Sequence, residues 1–126
     1  KFSGWVGKKL NGAISETWNL KKEKTESSRE LGSFDIPIDI QLYDKHLYVS
    51  DHAGRIIKIN KDTGKSLEWF GEISKDKIGW FKEDKDFSSD GMNGLSLPYG
   101  FRIFNNNIYT SDRNTNTIKI FYGVID

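Results

Sequence analysis

The sequence predicts an all-β fold made of short antiparallel strands, written out twice. Three observations carry this. The stretch from Leu47 to Ile59 reads as strand, tight turn, strand, and the pattern returns from Ile108 to Ile120. Apolar residues alternate at positions 34, 36, 38, 40 and 42, a period of two. Aromatics make up 13% of the chain, with four Trp, which suits packing on pleated sheets.

Bulk properties narrow the field. At 126 residues the chain has the length of one ordinary domain. Its 36% hydrophobic and 29% charged residues fit a globular chain rather than a disordered one. A net charge of +1 gives no global drive toward nucleic acid or an anionic membrane. No apolar run approaches the roughly 20 residues of a spanning helix. Cysteine is absent, so there is no disulfide framework and no thiolate metal site. The chain opens at Lys1 without a signal-like segment and reads as a processed form or a fragment. Composition leaves the compartment open, with an extracellular or periplasmic setting slightly favoured.

The repeat is the strongest internal signal. Pro98 follows Pro37 by 61 positions, and Tyr109, Ser111 and Asp112 follow Tyr48, Ser50 and Asp51 by the same interval. Ile57-Lys58-Ile59 aligns with Ile118-Lys119-Ile120 without a gap. Upstream, Trp5 aligns with Trp69 and Trp18 with Trp80 at slightly longer intervals. The chain therefore divides into residues 1–64 and 65–126.

In order, Phe2 to Gly7 reads as a short strand and residues 8–12 as a polar turn. Residues 21–33 are charged and read as a surface loop. A strand follows over 34–42, with Pro37 at its start or at a non-bonding position. Further strands are expected at 47–50, 55–60 and 67–70, joined by turns at Asp44-Lys45, Asp51 to Gly54 and Asp62 to Gly64. Residues 71–94 read as a long polar insertion. Strands then recur at 97–104, 107–111 and 116–121.

Four short antiparallel strands per unit, repeated, is the pattern of a β-propeller blade. Two blades alone leave sheet edges and inner faces open. The chain is thus expected to be part of a longer, six-bladed propeller, or a subunit whose copies close into a homo-oligomeric ring.

The blade residues resemble the NHL-repeat family. The match runs through Pro37, Asp39-Ile40, Leu47-Tyr48-Val49-Ser50-Asp51, Arg55-Ile56, Ile59, Gly64 and Trp69-Phe70-Gly71. The second copy offers Pro98-Tyr99-Gly100-Phe101, Ile108 to Asp112 and Ile118 to Ile120. It departs at Asn116-Thr117, where the family has Arg-Ile. The resemblance implies a six-bladed β-propeller acting as a protein-interaction platform. The units are also similar to those of peptidyl-hydroxyglycine amidating lyase, whose propeller holds zinc through histidines. The position after the blade proline is here Ile38 or Tyr99, so the metal site of such an enzyme would lie outside these blades.

Several residues are candidates for a site. Asp51 and Asp112 read as turn carboxylates that accept backbone N–H groups, in preference to ligands of a central channel. Trp5 and Trp69 read as packing residues, whereas Trp18 and Trp80 sit in loops and suit a protein or sugar contact. Arg55, Arg102 and Arg113, with Lys58 and Lys119, could form a basic row for RNA phosphate, although 19 basic residues face 18 acidic ones. His46 and His52 read as surface residues. Asp86, Ser88 and Asp90 fit the opening of a calcium loop, but its twelfth position is Leu97. The expected function is a non-catalytic module that binds protein or assembles with further blades, without a required cofactor.

Overall fold

Alternating apolar residues set the strands, and short polar turns connect them into meanders. The computed structural model describes residues 1–74, 77–83, 95–96 and 98–126, and its regular elements are all strands. β1 (Lys8–Lys9) and β2 (Thr25–Glu26) form a small antiparallel pair. β3 (Pro37–Tyr43), β4 (His46–Asp51), β5 (Arg55–Asn60), β6 (Ser66–Ser74) and β7 (Lys77–Phe81) form a five-stranded sheet in chain order. β8 (Pro98–Phe104), β9 (Asn107–Asp112) and β10 (Thr117–Phe121) form a three-stranded one. All the ladders are antiparallel. No helix among the described residues is long and apolar enough to cross a membrane, which says nothing of a β-barrel.

The same turn chemistry opens both sheets. Asp44 and Asn105 sit at φ 55° and 49° between the first two strands of each sheet. Asp and Asn tolerate this left-handed region because their short side chains can bond locally.

Several expectations need correction. Among the described residues the first sheet has five strands where four were expected, the second has the three expected of it, and neither closes on itself. Ile78, Trp80 and Phe81 turn part of the supposed polar insertion into β7, because their side chains are drawn onto the apolar clusters on both faces of the sheet. Phe2 to Gly7 forms only an isolated bridge, from Trp5 to Asn19. The charged stretch 21–33 supplies β2, whose partner strand brings Lys8 to Glu26 and Glu30. Ile36 breaks the expected alternation, since it lies at φ 55° before the strand begins.

Packing arranges the chain in layers. Tyr48, Ile56 and Phe70 of the first sheet are buried against Leu95, Phe101, Ile103, Ile108 and Ile125. The opposite face carries Val49, Ile57, Ile59 and Trp69, and Leu31 and Phe34 of the N-terminal segment pack onto it. The sheets stack in the same sense. Ile108 faces the first sheet, and its counterpart Leu47, 61 positions earlier, faces the N-terminal segment. We call the face of each sheet that points toward the next one its leading face, and the other its trailing face.

β3 and β8 meet at this junction through side chains that reach main chain. The Phe101 N–H donates to Asp39 Oδ2 at 3.0 Å. Gln41 accepts from the Ile103 N–H at 2.9 Å and donates to the Ile103 carbonyl at 3.4 Å. The Tyr43 hydroxyl accepts from the Asn106 N–H at 3.2 Å and donates to Asn106 Oδ1 at 3.1 Å. Unpaired groups along the outer edge of β8 are thereby satisfied.

The gapless alignment of the two hairpins is also corrected. Asp51 pairs with Arg55 across the first turn, whereas Asp112 pairs with Thr117 across the second. The second turn is one residue longer, so Thr117 takes the place of Arg55, and Ile118 that of Ile56. Lys119 then corresponds to Ile57. In a pleated strand a shift of one residue reverses every side chain.

This register has a measurable consequence. Ile56→Ala should cost about 2–5 kcal/mol, the range for a buried large-to-small change. Ile118→Ala should stay within about 0.5 kcal/mol, as at exposed positions. Urea unfolding of the two variants measures both, and equal losses would contradict the shifted register.

Candidate functional site

The two hairpin carboxylates are buried and bonded on several sides. Asp51 is fully buried and accepts from the N–H of Asp35 at 3.1 Å, the N–H of Ala53 at 3.2 Å and Arg55 Nε at 3.2 Å. Arg55 is also fully buried, and its other nitrogens donate to the carbonyls of Arg29 at 2.7 Å and Ser33 at 3.2 Å. One guanidinium thus ties the N-terminal segment to the first hairpin. Asp112 repeats the pattern with a different cation. It accepts from the N–H of Ser96 at 2.9 Å, the N–H of Thr115 at 3.3 Å and Lys119 Nζ at 3.0 Å.

Their ionisation differs. Burial pushes the Asp51 carboxyl above the ordinary range, against the pull of Arg55 and the Asp35 and Ala53 N–H groups. Burial acts on Asp112 too, but the Ser96 N–H, Lys119 and the Thr115 N–H together hold that carboxyl below the ordinary range.

The tryptophans repeat their bonds as well as their spacing. Trp18 Nε1 donates to the Lys61 carbonyl at 3.0 Å, and Trp80 Nε1 to that of Val124 at 2.6 Å. Trp5 Nε1 donates to the Lys21 carbonyl at 2.8 Å, and Trp69 Nε1 to that of Glu83 at 3.0 Å. Trp80 is not a free loop residue: it lies in β7 and packs beside Phe70 and Tyr48. Trp18 lines a groove described below.

The basic row is not assembled. Arg55 and Lys119 are buried, and Lys58 pairs with Glu68 at 3.6 Å. Arg102 pairs with Asp39 at 3.0 Å, and Arg113 donates to the Tyr99 hydroxyl at 2.9 Å. The two exposed arginines of that row, Arg102 and Arg113, therefore lie with separate partners. His46 is half-buried against Tyr48, and burial lowers its pKa. His52 is exposed. Asp86, Ser88 and Asp90 lie outside the described residues. Among the described residues, no three His, Cys, Asp or Glu side chains gather as metal ligands would.

The geometry instead draws attention to two open apolar surfaces. On the leading face of the second sheet, Ile118 is 75% exposed, Ile120 44% and Phe104 62%. The counterparts of Ile118 and Phe104 in the first sheet, Ile56 and Tyr43, lie inside the junction. On the trailing face of the first sheet, Ile40 and Leu42 are 58% and 59% exposed. Their counterparts Phe101 and Ile103 are 2% and 4% exposed. Beside Ile40 runs a groove of about 440 Å³ with Leu47, Val49 and Ile59 at its base and Trp5 and Trp18 along its wall. Sequence reasoning missed these surfaces. The signal available was the apolar pair Ile118 and Ile120, which the gapless alignment placed on the wrong face.

No family model, curated protein or solved structure matches the chain.

The two carboxylates should respond differently to acid. A depressed folded-state pKa adds stability above the unfolded value of about 3.9, and this is lost as pH falls through the folded value. Asp112 contributes in that direction. Asp51, with its raised pKa, binds its proton more readily when folded and opposes the loss. Asp112→Asn should cost about 3–5 kcal/mol near neutrality, as for a broken buried pair. It should also flatten the decline in urea midpoint between about pH 5 and pH 2. Asp51→Asn should leave that decline at least as steep.

Proposed function

We propose that the chain is a non-catalytic assembly module, a two-blade piece of a six-bladed β-propeller of the NHL-repeat type, whose partner is protein. The observation that carries this reading is the leading face of β8–β10. It offers Phe104, Ile118 and Ile120 to solvent, and the first two stand at positions equivalent to Tyr43 and Ile56, which the first sheet uses to hold its neighbour. Large apolar side chains exposed together on one sheet face are what an interaction site presents.

The side-by-side placement of β3 and β8 supports the propeller reading. In such an architecture the first strands of successive blades line the centre and the sheets pack face to face. The buried hairpin ion pairs support a structural role for Asp51 and Asp112. Pairing of the basic side chains, two of them in the interior, gives no support to an RNA-binding row.

A double change at the face tests the reading. In dilute solution the protein should bind an apolar fluorescent dye. The Ile118→Lys/Ile120→Lys variant should bind several-fold less, with unchanged far-UV circular dichroism and urea midpoint. A wild-type protein that takes up no dye and associates with nothing would refute the assembly role.

A further inference from the structure

We propose that the leading face of the second sheet takes up the trailing face of the first sheet of another copy of this chain, head to tail. This rests on the assembly role above and specifies its partner. The junction between the two sheets is the template. There, Tyr48 and Ile56 of one leading face are buried against Phe101, Ile103 and Ile108 of one trailing face. Among the described residues, each half of that junction also recurs with apolar side chains left exposed, Ile118 on one and Ile40 and Leu42 on the other. Tyr109 and Ile118 stand where Tyr48 and Ile56 stand in the first sheet. Ile40, Leu42 and Leu47 stand where Phe101, Ile103 and Ile108 stand in the second.

Edge pairing fits the same partner. β5 is flanked by β4 and β6, and Ile57 pairs with Trp69. β10 has β9 on one side and no described strand on the other. Trp5 bridges Asn19 much as Trp69 pairs with Phe81. The N-terminal segment therefore resembles the outer part of a sheet that lacks its inner strands. A copy docked by its trailing face would bring its Trp5 segment to the open edge of β10. Strand addition at an exposed edge contributes main-chain hydrogen bonds beside the apolar contact.

The joint between copies is weaker than the internal one in one respect. Gly100 and Arg102 replace Asp39 and Gln41, the side chains that bond to β8 main chain. Gly100 has no side chain to offer, and an arginine donates but does not accept. The contact is heterologous, because each copy uses a different surface.

Complementary variants test this directly. One chain carries Ile118→Lys/Ile120→Lys, and a second carries Ile40→Lys/Leu42→Lys. Sedimentation of the wild-type chain should show concentration-dependent association. Each variant alone should weaken that association about tenfold or more. An equimolar mixture should recover a one-to-one complex, because each partner retains the face the other has lost. Serine pairs at the same positions replace the lysine pairs if circular dichroism shows either variant unfolded. The inference is overturned if the mixture stays monomeric, or if one variant still self-associates like wild type. A wild-type chain that stays monomeric while its face binds dye would also overturn it, and would leave the broader assembly role standing.

Discussion

Burial of one sheet face against the next is the constraint on which the rest of the structure depends. A sheet with apolar side chains on both faces needs a cover on each. The first sheet obtains one cover from β8–β10 and the other, in part, from residues of the N-terminal segment. Apolar contact alone would leave the edge of β8 with unpaired main-chain groups. Asp39, Gln41 and Tyr43 remove that cost by reaching across with side chains matched to the exposed N–H and C=O groups. The junction is therefore specific as well as apolar: Asp39 and Gln41 read register along β8, and Tyr43 reads the turn that follows it.

Much of the fold was legible because the relevant signals are local. The period of two around Ile38, Ile40 and Leu42 places β3, and Asp44 and Asn105 mark the following turns in each unit. Strand β7 was not legible. Gly79 lies between Ile78 and Trp80 and reads as a loop, whereas tertiary packing against Tyr48 and Phe70 decides the matter. The length of the second hairpin turn was hidden for another reason. Isoleucine-lysine-isoleucine follows both turns, so a gapless match looks complete. Only the ladder from Asp112 to Thr117 reveals the added residue.

That register also accounts for the missing Arg-Ile in the second unit. The buried carboxylate needs a cation, and the position that supplies it is free to change. Arg55 approaches Asp51 from the facing end of the hairpin, while Lys119 approaches Asp112 from farther along β10. Arg55 has extra donors and uses them on carbonyls of the N-terminal segment, a role that a lysine would fill less well because its ammonium is a compact point charge. The two hairpins thus solve one electrostatic problem with different reach, and a search for an identical dipeptide passes over the second solution.

The four residues between Asp112 and Thr117 form the turn end of a hairpin, tied to the interior through the Thr115 N–H on Asp112 and the Asn114 amide on Ser96. Loss of a single codon there would roll β10 over, hiding its two isoleucines and bringing the lysine to the outside. Which face of β10 carries its isoleucines is then a matter of loop length, a trait that insertions and deletions reach in one step and that base substitutions reach only through several.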